Sequence, residues 1–284
     1  MIDSGLMSRS FLPRVLSFIP PSVRRIVIGR SDQPSKVATA LHHLFNRTKG
    51  DGSEVLACSG PLKGFRMSTD WARYRGYVYG SWEPIATDAI ISAVKPGMRV
   101  FDIGAHLGYY SLLLARCVGP AGRVMSFEAA PRNFDTLRSN ILINNLKNVD
   151  LFNLAVFSEV GSIQMSISST DVASGDWSIS RHSNGETIQV PTITLDQFYR
   201  ETDVLPDFLK MDVEGAEYDV LVGGREVISR SRPTMLIELH HFDGDLAANR
   251  VPELLGRWNY QIRWLEKWPQ TSQILAQPLP AKST

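Results

Sequence analysis

One stretch constrains this chain more than any other: Val100-Phe101-Asp102-Ile103-Gly104-Ala105-His106-Leu107-Gly108-Tyr109-Tyr110-Ser111. The short apolar run Arg99–Phe101 reads as a buried strand. It stops at an acid and two spaced glycines, and Tyr110–Val118 then reads as a helix. Strand, glycine turn and helix together are how an α/β domain offers backbone to a nucleotide-like ligand. The dinucleotide form of this turn is G-x-G-x-x-G, whose last two glycines bring a helix N-terminus up to a pyrophosphate. Here the pattern is Asp-x-Gly-x-x-x-Gly, from Asp102 to Gly108. The turn is wider, and Asp102 would repel a pyrophosphate. A carboxylate suits a ligand with a cationic or donor-rich middle. S-adenosylmethionine, with an ammonium, a sulfonium and no phosphate, has that character. The bland alternative is an ordinary strand-turn-helix whose glycines serve the turn alone.

A second half-site follows. Val124–Phe127 reads as the next strand and Glu128 ends it. An acid about twenty residues after the glycine turn is placed to accept both ribose hydroxyls, because a carboxylate takes two hydrogen bonds side by side. A solvent-exposed glutamate at a strand end is the competing explanation.

With 284 residues and ordinary globular composition, the chain has room for one large domain, or one domain with an extension. A formal net charge of +1 points to no broad nucleic-acid or anionic-membrane surface. Cys58 and Cys117 stand far apart. Cys117 falls in a helix expected to be buried, so a free thiol and a reducing, cytoplasmic compartment are the expectation. Phe11–Ile28 is the nearest thing to a membrane span, but three arginines and three prolines interrupt it. It reads instead as two amphipathic helices, Phe11–Ile19 and Ser22–Ile28. The first 50 or so residues are rich in base, as a solvated helical extension would be, or a helix docking on a membrane surface or partner.

Beyond a turn at residues 49–53, Val55–Cys58 and Gly64–Met67 read as short strands. The aromatic stretch Trp71, Tyr74, Tyr77, Tyr79 and Trp82 follows, before Glu83-Pro84. Such density means packing or the wall of a site mouth, with Glu83 pointing in. Helices are expected at Thr87–Val94 and Pro131–Asn145, and strands at Asp150–Val156 and Ser162–Ser168. Ser169–Glu186 is a polar loop with Trp177 alone in its middle, either a lid over the acceptor or a disordered insertion. Further strands are expected at Val190–Leu195, Phe208–Val213 and Met235–His240. Helices follow at Asp196–Arg200, Gly215–Val222 and Val251–Trp258, and a closing hairpin at Gln261–Leu265 and Ser272–Ala276. Strands alternating with helices predict a parallel sheet covered on both faces.

Ligands of open α/β sheets bind beyond the C-terminal ends of the strands. The residues there are Asp102, Glu128, Ala155, Asp212 with Glu214, and Glu238 with His240. Strand alternation puts Lys210, Asp212 and Glu214 on one side. A carboxylate at this edge could deprotonate a substrate hydroxyl, hold the cofactor ammonium, or ligate Mg²⁺ together with Glu238. It could equally belong to a structural ion pair of Lys210 with Glu214. His240 is the best neutral-pH base by residue type, or else a satisfied structural histidine. His241 should face the other way. His106, in the glycine turn, reads as a cofactor contact.

These residues carry a resemblance. Phe101–Ser111, Phe127-Glu128-Ala129-Ala130-Pro131-Arg132-Asn133, Leu137–Asn140 with Asn144, Lys210–Glu217, Arg232-Pro233 and Glu238-Leu239-His240 resemble the FkbM family of S-adenosylmethionine-dependent methyltransferases. Gly80-Ser81-Trp82-Glu83-Pro84 matches that family's aromatic-Glu-Pro entry. The match runs from about Gly60 to His241, and Asp-x-Glu-Gly-Ala-Glu is its specific part. The resemblance implies a Rossmann-like α/β fold of class I methyltransferase type: a seven-stranded, mostly parallel sheet with a reversed last strand and helices on both faces. Residues 1–52 would be an N-terminal helical extension and 53–284 the methyltransferase domain, its cofactor-binding core at about 84–241. By motif position Asp102, Gly104 and Gly108 would hold the methionine end and Glu128 the ribose. His106, Tyr109 and Ala155 complete the expected cofactor contacts. Asp212 or His240 is the expected base, with Glu238 and Lys210 shaping the site and Glu83, Glu214 and Trp177 facing the acceptor. His106 stands where the family often has Asn, and Ala129 where it has Pro. The implied reaction is O-methylation of a sugar, glycan or natural-product hydroxyl. A cofactor-binding scaffold acting through its N-terminal extension is the non-enzymatic alternative; the partner expectation is a homo-oligomer or docking through residues 1–50. A nicotinamide-dependent oxidoreductase would need a tighter turn than Asp102–Gly108.

Overall fold

The computed structural model describes residues 54–57, 59–69, 74–167, 177–178, 187–241 and 249–280. The expected helices at Phe11–Ile19 and Ser22–Ile28, residue Cys58 and nearly all of the Ser169–Glu186 loop lie outside them. The described elements begin with β1 (Glu54–Leu56), β2 (Arg66–Ser68), α1 (Arg75–Tyr79), α2 (Pro84–Ala93), β3 (Arg99–Ile103), α3 (Tyr109–Val118), β4 (Arg123–Phe127), α4 (Pro131–Ile143) and β5 (Val149–Phe152). They continue with β6 (Ala155–Val156), β7 (Gly161–Ile167), β8 (Trp177–Ser178), β9 (Thr187–Ile193), α5 (Leu195–Thr202), β10 (Phe208–Met211), α6 (Glu217–Gly223) and α7 (Arg225–Ser231). The last are β11 (Thr234–His240), α8 (Val251–Arg257), β12 (Tyr260–Lys267) and β13 (Thr271–Pro278).

The chain divides into two compact units. One takes the residues up to Thr87 with Ser139–Asn145; the other takes Asp88–Arg138 and the residues from Leu146 onward. In the first unit β1 and β2 pair antiparallel. Its aromatics pack on one another: the Tyr77 ring lies 5.1 Å from Tyr74 and meets Trp82 edge-on at 4.7 Å. Asn140 and Asn144, one helical turn apart, bind the free edge of β2. Asn140 accepts from Ser68 N–H and donates to Ser68 O, and Asn144 does the same with Arg66.

The second unit holds a seven-stranded sheet in the order β12-β13-β11-β10-β3-β4-β5. β11, β10, β3, β4 and β5 run parallel. β13 alone is reversed, antiparallel to both β11 and β12. This is the strand arrangement expected of a class I methyltransferase. The central strands are buried on both faces, so β3 and β4 are buried at every position after their first arginine rather than at alternate ones. Alternation sends Phe101 and Asp102 to opposite faces. Phe101 meets the Phe198 ring of α5 edge-on at 5.5 Å, whereas Asp102 accepts from Ser111 of α3. Helices therefore cover both sides. The α5 face is the main core: Phe101, Phe127 and Phe152 from the strands gather around Phe198, with Val220 of α6 and Val227 of α7.

The strand expected at Asp150–Val156 is two. β5 ends at Phe152, and Ala155 starts β6 in a separate four-stranded sheet ordered β6-β9-β7-β8. Leaving the main sheet at Asn153 frees the chain to make that second layer. A helix the glycine pair concealed, α7, begins straight after α6, because Gly224 closes one helix and opens the other. Cys117 carries a free thiol but is half-buried rather than buried; burial pushes its pKa up.

Candidate active site

The glycine turn leaves β3 at Ile103 and enters α3 at Tyr109. Gly104 and Ala105 donate their N–H groups to Phe127 O at 3.0 and 2.9 Å, tying the turn to the end of β4. Gly104 has φ 76°, and a Cβ there would stand 1.7 Å from Asp212 O, so only glycine fits. Gly108, at φ 92°, caps α3, and a Cβ on it would meet Leu137 Cδ1 at 2.7 Å. His106 lies between them in the left-handed region at φ 50°. Asn and His tolerate that conformation better than most residues, which accounts for His standing where the family has Asn. Backbone rather than side chains forms most of the cradle.

Glu128 sits one residue past β4. One carboxylate oxygen accepts from His106 N–H at 2.8 Å and the other from Ala130 N–H at 2.9 Å. Only 7% of the residue is exposed, and burial pushes its pKa up to about 7 against the pull of the two N–H groups. Each oxygen keeps a lone pair for a hydroxyl. Asn153 Nδ2 donates to the carbonyls of Glu128 and Ala129 at 2.8 and 3.1 Å, which holds the turn where the family has proline.

Asp102 differs from expectation. It has no exposed surface. Ser111 Oγ donates to it at 2.6 Å, and Lys210 Nζ lies 3.7 Å away. Burial raises its pKa, opposed by Lys210 and Ser111. Buried beneath the turn and held by Ser111 and Lys210, its carboxylate braces the turn from below. Tyr109 is likewise buried, its ring edge-on to Tyr110 at 5.1 Å. Ala155 does not end a strand of the main sheet; it packs with Ala129 against Ala130, Met165 and Val190.

A second cluster of polar side chains is built from the ends of β10 and β11. Lys210 is a bolt between the two halves. It is 4% exposed, donates to Gly104 O at 3.0 Å, and lies 3.7 Å from Asp102 and 3.6 Å from Asp212. Its partners are those acids and not Glu214. Glu214, at φ 51°, instead brings a carboxylate oxygen 3.2 Å from His240 Nε2, and Asp212 stands 3.9 Å from the same atom. Behind the ring, His240 Nδ1 binds Glu217 Oε1 at 2.7 Å; Gly215 N–H donates to that oxygen at 2.9 Å. Desolvation pulls the His240 pKa down, but hydrogen bonds to Glu214 and Glu217 outweigh it and drive it up to about 12. Carboxylates stand at both ring nitrogens, Glu214 at Nε2 and Glu217 at Nδ1, and they favour the charged ring over the neutral base expected of His240.

Glu238 stands apart from this group. Gln273 of β13 donates to it at 3.1 Å, across the register pair Glu238–Gln273. The close group of donors comprises Asp212, Glu214 and His240, whose donor atoms all lie within 4.8 Å of one another, whereas the expected pairing was Asp212 with Glu238. His241 faces away, as expected, with Nε2 2.9 Å from Ser272 Oγ. Glu83, at φ 35°, belongs to the first unit, and Trp177 lies in β8, paired with Ile167.

A family model described as the methyltransferase FkbM domain matches residues 102–262, more than half of the chain. The chain belongs to the FkbM methyltransferase family. Its methyl donor is S-adenosylmethionine. Among curated relatives, the 2-O-methyltransferase NoeI of Sinorhizobium fredii is 27% identical over 173 residues, covering 56% of this chain and 69% of NoeI. Methyltransferase 1 of Beauveria bassiana is 28% identical over 171 residues, covering 54% and 68%. A solved FkbM methyltransferase from Methylobacillus flagellatus superposes with a TM-score of 0.47 at 19% identity; the match covers 66% of this chain but only half of that one.

Two FkbM-motif residues matter more than their types suggested. Ser111 joins the sealed group under the turn. Glu217, the last acid of Asp-Val-Glu-Gly-Ala-Glu, is 2% exposed and holds His240. An acid in the first turn of a helix ordinarily signals a solvated end. The repeat of acids through the motif was the one available hint.

Proposed function

We propose that the chain transfers a methyl group to a hydroxyl of a sugar, glycan or natural-product acceptor, with Asp212 as the base. The observation that carries this reading is the position of Lys210, which touches the glycine turn and lies between Asp102 and Asp212. It fixes a half-exposed carboxylate directly beside the cofactor turn. The 2-O-methyltransferase activity in NoeI's name supports an oxygen acceptor.

The donor set suits the cofactor. Glu128 offers acceptor oxygens for ribose hydroxyls, and the backbone from Gly104 to Gly108 lines the methionine end. When bound, S-adenosylmethionine supplies an electrophilic methyl carbon. An acceptor oxygen attacking that carbon would form a C–O bond as the C–S bond broke with its electron pair going to sulfur, and the hydroxyl proton would have to pass to a base of this chain. This chain's task is to hold that oxygen in line and take its proton. Asp212, 31% exposed at its side chain, faces solvent. His240, held from behind by Glu217, positions Asp212 and Glu214.

The test is calorimetric titration with S-adenosylhomocysteine, followed by a methyl-transfer screen of hydroxylated acceptors. Wild type should bind, Glu128→Ala and Asp102→Ala should not, and Asp212→Asn should bind normally while losing turnover. Full turnover by Asp212→Asn would remove it from the role of base.

A further inference from the structure

Asp212, Glu214 and His240 converge from three places: the end of β10, a left-handed turn residue and the end of β11. Their nearest donor atoms are 3.2 and 3.9 Å apart, and all lie within 4.8 Å. Ligands on one ion at about 2.1 Å stand about 3–3.5 Å from each other, so a small closure brings all three into one coordination sphere. The rear of the ring is set independently. Glu217 is buried, anchored by Gly215 N–H, and holds Nδ1, which aims Nε2 at the other two donors. A carboxylate on the far nitrogen of a histidine is the usual outer-shell support of a metal ligand.

Charge points the same way. Four carboxylates, Asp102, Asp212, Glu214 and Glu217, face two cations, Lys210 and His240. That surplus of negative charge lies where the side chains of Asp212 and Glu214 are 31% and 43% exposed.

We infer that Asp212, Glu214 and His240 Nε2 form a binding site for one divalent ion of the Zn²⁺, Mn²⁺ or Co²⁺ class, with Glu217 as the residue that positions His240. One imidazole with two carboxylates suits those ions, whereas Mg²⁺ prefers oxygen alone. The ion takes the place of the proton on Nε2, and its open positions face solvent. Resting on the methyltransferase reading, its role is to hold the acceptor hydroxyl by oxygen and lower that hydroxyl's pKa, so that the proton passes more readily to the uncoordinated oxygen of the Asp212 carboxylate.

The experiment needs no acceptor. The full chain is titrated with Mn²⁺ by electron paramagnetic resonance and, separately, with S-adenosylhomocysteine by calorimetry. One Mn²⁺ should bind per chain. Affinity should fall tenfold or more in His240→Ala and Glu214→Gln, and about tenfold in Glu217→Gln. Zn²⁺ should displace Mn²⁺, and equimolar Mg²⁺ should not. Glu214→Gln, altered at a half-exposed side chain, should bind S-adenosylhomocysteine like wild type, which shows it is folded. Wild type that binds S-adenosylhomocysteine but takes up neither Mn²⁺ nor Zn²⁺ at millimolar concentration would overturn the ion site alone. So would equal Mn²⁺ binding by wild type and all three variants. Mn²⁺ binding without S-adenosylhomocysteine binding would leave the ion site standing and remove its catalytic role.

Discussion

Glu128 is a carboxylate kept where its charge is least welcome. An unfolded glutamate titrates near 4.5; in the folded chain this one titrates near 7. Between those values the folded chain carries more protons than the unfolded one, so this residue's contribution to stability falls as pH rises through that window. Hydroxyls that donate to the charged form reverse the balance. Binding of S-adenosylhomocysteine should therefore expel a proton below pH about 7 and weaken by up to about tenfold per pH unit on the acid side. Calorimetry from pH about 5.5 to about 8.5 should show that slope levelling off above neutrality, and Glu128→Gln should bind weakly with no slope. His106 illustrates how much a residue scale reveals. The sequence marked it as a departure from Asn, but only the backbone shows why either serves: the position demands φ 50°.

Between elements, the decisive contact is β3 against β10, where Asp102 and Lys210 are register partners. Removing one member of a buried ion pair strands the other. Lys210→Ala should cost roughly 3–5 kcal/mol of stability by denaturant unfolding. The loss should be smaller at acid pH, where Asp102, deprived of the cation that lowers its pKa, takes up a proton. Asn140 of α4 and Asn144, just past its end, make a second expectation. Residues one turn apart on a helix and two apart on a strand repeat at nearly the same distance, so Asn140 and Asn144 act as a neighbouring strand for β2. Asn140→Ala removes the side-chain acceptor of Ser68 N–H and should cost about 1–3 kcal/mol; the more exposed Asn144→Ala should cost less. Alternation along β10 was enough to place Lys210 with Asp212, and the strand-glycine-helix signal was enough to place the cofactor turn. The closeness of Glu217 to His240 was not legible, because it depends on how β10 and β11 are staggered, and no local pattern states a register. The second sheet escaped for a different reason: β6 and β8 are two residues each, too short for any period to show.

At the scale of the molecule, we propose the division at residue 52. The chain from residue 53 contains every strand of the seven-stranded sheet and every residue proposed to touch cofactor or ion. A protein lacking residues 1–52 should remain folded by circular dichroism and bind S-adenosylhomocysteine with unchanged affinity. Loss of binding on that truncation would place part of the cofactor site in the first 52 residues. No helix among the described residues is long and apolar enough to cross a membrane. The sheet's one reversed strand governs the order of events in time. β13 is made after β12 yet lies between β12 and β11. During synthesis β11 therefore presents an open edge, and β12 emerges with nothing to pair to. Both wait for β13, which must enter a slot rather than extend a margin. The interval before it arrives is when this chain is most prone to pair wrongly with its neighbours on the polysome. A late, concentration-sensitive phase in refolding is the trace that wait should leave.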